Sequence, residues 1–92
     1  MRFVFLIMGS FDGRFDRAEI VGGNARIIGV SNLAEACEIA GSLRGETDCI
    51  ELCGAFGQEG ARRVIEATGG KLPVGYVVHL PEQDELYRQI FG

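Results

Sequence analysis

The chain has 92 residues, of which 47% are hydrophobic and 24% are charged, and nine Lys and Arg against thirteen Asp and Glu give a net charge of -4. This is the length of one ordinary folding unit, so we expect a single domain over residues 1–92. The hydrophobic content excludes a disordered chain. The acidic balance argues against nucleic acid and anionic lipid as partners, because both are bound by basic patches.

The first element in chain order is a strand over Arg2–Gly9, since the six consecutive apolar residues of Phe3–Met8 are typical of a strand buried on both faces. A membrane-spanning helix needs about 20 apolar residues, and a signal peptide needs a longer apolar stretch and a cleavage site. We therefore expect no membrane segment. Three cysteines, an odd number, and no export signal predict a cytoplasmic protein without a disulfide framework.

A loop and a hairpin are predicted next. Ser10–Arg17 mixes Asp, Gly and Phe residues and is typical of a loop. Ala18–Val21 and Ala25–Val30 have the composition of two strands, and the pair Gly22-Gly23 between them suits the positive φ angles of a hairpin turn. We therefore predict an antiparallel hairpin near the front of the chain.

A first helix is predicted to begin at Ser31 or Asn32 and to be closed by Gly45. Asn32 followed three residues later by Glu35 makes a capping box, in which two unpaired N–H groups of the helix start gain partners. Its apolar stripe has helical spacing and consists of Leu33, Ala36, Cys37, Ala40 and Leu43.

Strands and helices alternate through the rest of the chain. Asp48–Cys53 and Pro73–Leu80 are predicted strands, and Gln58–Thr68 between them is a predicted helix with Ala61, Val64, Ile65 and Thr68 on one face. Pro81 suits the first turn of a last helix. This order predicts an α/β fold with a small, mostly parallel sheet: a βαβαβα core and an N-terminal antiparallel hairpin, built as a half-barrel or a small doubly wound sheet. A sheet of that size leaves apolar edge or face uncovered, so we expect a homodimer or a higher homo-oligomer, formed through the last helix.

Candidate functional residues follow from the rule that ligands bind beyond the carboxyl ends of parallel strands. Glu51 is a carboxylate within a strand, which is costly unless it has a partner or belongs to a site. It is either a catalytic group or the partner of an arginine or water on an exposed sheet surface. His79, the only histidine, follows a strand, where it is either a proton-transferring or ligand-binding group or a hydrogen-bonded structural residue. If the two strands are neighbours, His79, Glu51 and Cys53 line one pocket.

Weaker candidates surround these two residues. Cys53 as a nucleophile requires a lowered pKa, which an adjoining helix start helps to supply. Gly54 and Gly57 either present backbone N–H groups to an anionic ligand or serve only the tight packing of helix on strand. Ser10 follows the first strand and is a further candidate for binding that ligand. The sequence has neither a CxxC motif nor a second histidine, and we predict no metal site and no organic cofactor.

Three strings, FLIMGSFD, CIELCGAFGQEGARRVIEATGG and PVGYVVHLPEQDELY, resemble a family of small prokaryotic proteins catalogued as a domain of unknown function. The resemblance covers almost the whole chain and implies a compact α/β domain. It implies no activity, cofactor or catalytic residue.

The sequence leaves two functions open. In the first, an oligomeric α/β protein binds a small polar or anionic metabolite at its strand ends, and if it is an enzyme, Glu51 or His79 moves a proton in lyase or isomerase chemistry. In the second, the chain is a non-catalytic interaction or assembly module in which both residues serve a subunit interface.

Overall fold

A five-stranded mixed sheet forms the centre of the protein in the computed structural model, which describes residues 1–92. The strands are β1 (Phe3–Met8), β2 (Arg17–Ile20), β3 (Ala25–Val30), β4 (Cys49–Leu52) and β5 (Val74–Tyr76). They lie in the order β2-β3-β1-β4-β5, and only β2 runs antiparallel to its neighbour. The predicted α/β class and mostly parallel sheet are confirmed.

Three helices accompany the sheet. They are α1 (Leu33–Ser42), α2 (Gly57–Ala67) and α3 (Asp84–Phe91), and short 3-10 turns precede α2 and α3. The longest of them has 11 residues, and none has the length and apolar character needed to cross a bilayer.

Both crossover helices lie on the same face of the sheet. The chain passes from β3 to β4 through α1 and from β4 to β5 through α2, and both steps move in the same direction across the sheet. Right-handed crossovers that move in one direction place their helices on one side. Alternate strand residues on this side share a single core with both helices, made of Val4, Leu6, Ile28, Val30, Ala36, Ala40, Leu43, Ile50, Leu52, Phe56, Ala61 and Val64. This one-sided layer differs from a doubly wound sheet, which carries helices on both faces.

The predicted N-terminal hairpin is present, but its first strand is Arg17–Ile20 rather than Ala18–Val21, and Val21 belongs to the turn. β2 pairs with β3 in antiparallel register from Arg17 opposite Ile28 to Ile20 opposite Ala25. The turn between them carries three consecutive positive φ angles, at Val21 (52°), Gly22 (61°) and Gly23 (98°). The two glycines adopt this backbone without the steric cost that a side chain brings.

The predicted cap of α1 also forms, and it fixes the loop after β1. The Asn32 side chain accepts a hydrogen bond from the Glu35 N–H at 2.8 Å. The Glu35 carboxylate reaches the N–H of Ser31 at 2.7 Å and that of Gly13 at 3.1 Å. These bonds lower the pKa of Glu35, the Ser31 N–H having the largest effect. The carboxylate therefore ties the 10–16 loop to the helix start.

Two predicted elements differ from the structure. The last strand is predicted over Pro73–Leu80, but β5 has only three residues because its one neighbour, β4, ends at Leu52 opposite Tyr76. Beyond that point a single hydrogen bond, from the Val77 N–H to the Leu52 carbonyl oxygen, continues the pairing. On α2, Ile65 was expected on the buried stripe and is 38% exposed, since Ala61 and Val64 already fill the contact with the sheet.

The other face of the sheet carries no helix. Its strand residues alternate with those of the core and are Phe3, Phe5, Ile7, Ala18, Ile20, Ala25, Ile27, Gly29, Cys49, Glu51 and Gly75. We call this surface the open face. Phe11 from the 10–16 loop covers Gly29, where a Cβ would fall 2.6 Å from the ring. Ile20 and Ile27 remain 66% and 42% exposed.

A candidate ligand site at the strand ends

A cavity of about 640 Å³ opens at the carboxyl ends of β1, β4 and β5. Eight of its eleven lining residues are hydrophobic. The lining consists of Met8, Cys53, Gly54, Ala55, Gly57, Tyr76, Val77, Val78, His79, Tyr87 and Phe91. Its position follows the rule for parallel sheets, and its size and apolar lining are those of a small-molecule site.

The connection from β4 to α2 forms one side of the cavity. Gly54–Phe56 makes a 3-10 turn, and Gly57 then takes φ 66° and ψ -177°, a conformation that residues with a Cβ avoid. This glycine lets the chain turn sharply into α2. No side chain caps the start of α2, so the first amide groups of the helix have no intrahelical or side-chain acceptor beside the cavity.

An aromatic stack forms another part of the lining. The His79 and Tyr87 rings are stacked, with centroids 3.8 Å apart and planes at 10°. Tyr87 stacks in turn on Phe91 at 5.6 Å. These contacts hold α3 beside the cavity although no residue of that helix is buried.

His79 is oriented by a carboxylate. Its Nε2 atom lies 2.7 Å from Asp84 Oδ1. Because the carboxylate can only accept, Nε2 carries the proton in this contact and Nδ1 of a neutral ring is left as an acceptor. The side chains are 33% and 61% exposed, respectively. A base held by a carboxylate at the rim of an apolar cavity has the geometry used for proton transfer.

Cys53 lies at the end of the cavity nearest the sheet. Its Sγ atom accepts a hydrogen bond from the Met8 N–H at 3.3 Å, and the residue packs against the core. This contact joins the ends of β1 and β4. No group of three His, Cys, Asp or Glu side chains in the chain has a metal-binding arrangement.

The structure brings together only some of the predicted site residues. β4 and β5 are neighbours, and His79, Cys53, Gly54 and Gly57 line the same cavity. Glu51 does not line it. This residue lies on the open face across from Gly75, where an added Cβ would be 2.6 Å from the carboxylate Oε2.

Other residues depart from the sequence-based picture of the site. Ser10 is exposed in the loop after β1 and does not line the cavity. Asp84 and Tyr87 were not predicted as site residues, although both contact His79. A signal was present in the sequence: Pro81 starts a turn two residues after His79, which brings the first residues of the following helix back to the histidine.

A second concavity, of about 380 Å³, lies at the opposite end of the strands. It has no hydrophobic lining residue and is formed by Arg2, Glu19, Gly22, Gly23, Arg26, Gly45 and Glu46. Two arginines face two glutamates there, which leaves no net charge to attract an ion. Ligand sites are mostly apolar with a few polar groups, so the cavity at the carboxyl ends is the stronger candidate.

Comparison with known proteins assigns a family but no activity. The model of a family of unknown function, DUF6506, matches residues 1–92, the whole length of the chain. No curated protein and no solved structure matches the chain. The expectation of an uncharacterised family is thus confirmed.

Proposed function

The chain belongs to this family of unknown function, and we propose that it binds a small organic acid with an apolar body in the cavity at the carboxyl ends of its strands. The observation that carries the proposal is the cavity itself: about 640 Å³, eight hydrophobic residues among eleven, and one histidine at the rim. Small-molecule sites have volumes of about 300–1,000 Å³ and combine such a lining with a few placed polar groups.

The apolar lining determines the body of the ligand. Tyr87 and Phe91 offer ring faces on one side, and Val77 and Val78 add aliphatic surface. A strongly polar metabolite would lose its hydration here without gaining enough hydrogen bonds in return. The sequence indicates any small polar or anionic metabolite, whereas this lining favours a ligand that has one polar end and an otherwise apolar surface.

The polar end is proposed to be anionic. The start of α2 has no side-chain cap and lies at Gly57, which lines the cavity, so the free N–H groups and the positive end of the helix dipole are next to the cavity. Glu59 in the first turn of α2 opposes an anion, but its carboxylate is paired with Arg62. A single carboxylate fits this balance better than a multiply charged phosphate.

Binding of anilinonaphthalene sulfonate tests the proposal, because this dye has an aromatic body and one anionic group and its fluorescence rises in apolar sites. In the unmodified protein we expect saturable binding at one site, displaced by aromatic carboxylates. Phe91→Ala should weaken it about tenfold by removing one wall of the cavity.

Phe15→Ala is the matched control, since Phe15 is 74% exposed and outside the cavity whereas Phe91 is 78% exposed and lines it. Equal loss of binding in both variants, or no loss in either, refutes the cavity as the binding site. Native mass spectrometry of gently purified protein gives an independent measurement, in which a reproducible extra mass identifies the class of a retained ligand.

The His79–Asp84 pair favours proton transfer as a second function of the same site. A base oriented by a carboxylate removes a proton next to a carbonyl group in many lyase and isomerase reactions. In heavy water, we expect the protein to accelerate exchange of such a proton in small 2-oxo acids, followed by NMR. His79→Gln should abolish the exchange and Asp84→Asn should reduce it, since Asp84 acts only through the histidine. Exchange that persists in His79→Gln excludes this chemistry.

A further inference from the structure

We propose that the open face of the sheet is the interface of a homodimer in which a second copy packs its own open face against the first. The surface is separate from the cavity, because none of the residues of the open face lines the cavity. The proposal is therefore independent of the ligand and of its chemistry.

The size of the open face suits a second copy. The five strands contain 6, 4, 6, 4 and 3 residues. Each strand residue covers about 16 Å² of sheet plane, given about 3.3 Å per residue and about 4.8 Å between strands, so the flat area is about 360 Å² per copy. Side chains standing on this plane, with Phe11 and Val21 at its margin, raise the accessible area further. Two such faces together give about 720 Å² of flat area before the side chains are added, which is the size of a small, weakly associating interface.

The charge on the open face selects among partners. Glu51 is its only charged strand residue, and no arginine or lysine is present among the strand residues that face this way. Anionic lipid and nucleic acid are disfavoured because nothing there attracts phosphate. A basic partner is also disfavoured, because it would find only the Glu51 carboxylate to pair with on this face. The remaining surface is apolar and nearly flat, and such a surface is complementary to itself.

Sheet-on-sheet packing supplies the geometry. Two sheets pack face to face about 10 Å apart with their strands within about 30° of each other, as in β-sandwiches. A two-fold axis makes the contact isologous, so that exposed residues such as Ile20 and Ile27 are covered in both copies at once. Each copy then has helices on one side of its sheet and its partner on the other.

Sedimentation equilibrium of the full chain tests the interface, with a dimer of twice 10.0 kDa expected at micromolar concentration. Ile27→Glu should raise the dimer Kd at least about a hundredfold by placing a charge within the contact. Ile65→Glu is the matched control, because Ile65 has nearly the same exposure, 38% against 42%, but lies on α2 behind the opposite face. This variant should remain dimeric.

Two further variants keep the proposal falsifiable if Ile27→Glu fails to fold. Ile20→Glu changes the edge strand and should also give a folded monomer. Glu51→Gln should lower the dimer Kd about tenfold, because the interface buries this carboxylate without a cation. A monomer at all concentrations, or a Kd that rises in Glu51→Gln, overturns the proposal. A dimer that survives Ile27→Glu but is lost in Ile90→Glu also overturns it, since the contact is then made by α3.

Discussion

The attachment of α3 should depend on a single aromatic contact, and Tyr87→Ala removes it. α3 has eight residues, fewer than the roughly 12–15 that an isolated helix needs to persist in water. No residue of the helix is buried, so hydrophobic packing adds little to its stability. The stack of Tyr87 on His79 and the bond from His79 to Asp84 are the specific contacts that hold it.

The size of the effect follows from these contacts. A stacked ring pair contributes about 1 kcal/mol, and an exposed hydrogen bond such as His79–Asp84 contributes about 0.5 kcal/mol. A docking free energy of about 1.5 kcal/mol leaves α3 detached in about 7% of molecules. Without the stack, about 0.5 kcal/mol remains and the detached fraction rises to about 30%. The opening equilibrium constant thus increases about fivefold.

Hydrogen–deuterium exchange of the peptide covering residues 84–91 measures this change. Tyr87→Ala should speed exchange there about fourfold, in line with the detached fraction, and leave the amides of β1 unaffected. Tyr87→Phe retains the ring and should exchange like the unmodified protein. Unchanged protection of α3 in Tyr87→Ala, or an equal loss in Tyr87→Phe, would show that something other than the stack holds the helix.

Three other predictions concern stability and reactivity. Leu6 is fully buried on the central strand, so Leu6→Ala should lower the free energy of unfolding by about 3 kcal/mol in urea titrations. A loss below about 1 kcal/mol would contradict the described core. The bonds from Ser31 and Gly13 lower the pKa of Glu35 in the folded chain. The ionised carboxylate therefore stabilises the fold at a pH above its usual pKa of 4.5, and this stabilisation is lost as the pH falls through the lowered pKa. Glu35→Gln should therefore destabilise the protein at pH 7 in thermal unfolding, and the difference should shrink as the pH falls below 4.5; a difference independent of pH would contradict this cause. Burial, followed by the Glu51 carboxylate, raises the pKa of the Cys49 thiol. Iodoacetamide at about pH 8 should therefore alkylate this thiol more slowly in the folded protein than in urea. Equal alkylation rates, measured by peptide mapping, would refute this.

Local signals made the hairpin and α1 predictable from the sequence. Gly22-Gly23 permits the positive φ angles of the turn, and Asn32 with Glu35 caps the helix, so each signal acts within a few residues of its element. The length of β5 was not predictable in this way. Its sequence, PVGYVVHL, is apolar well beyond Tyr76, but a strand extends only as far as its partner, and β4 ends opposite that residue.

The position of Glu51 depends on the strand order, which the sequence does not show. Alternation along β4 correctly separates Glu51 from Ile50 and Leu52, which are fully buried. Whether the other side of the strand is covered depends on the strand order, because only two crossovers in the same direction leave one face open. Cys53 shares the parity of Glu51, yet the chain leaves the strand there and its sulfur turns to the Met8 N–H beside the cavity. The two residues therefore belong to different surfaces, and the carboxylate nearest to His79 is Asp84, supplied by the helix that follows it.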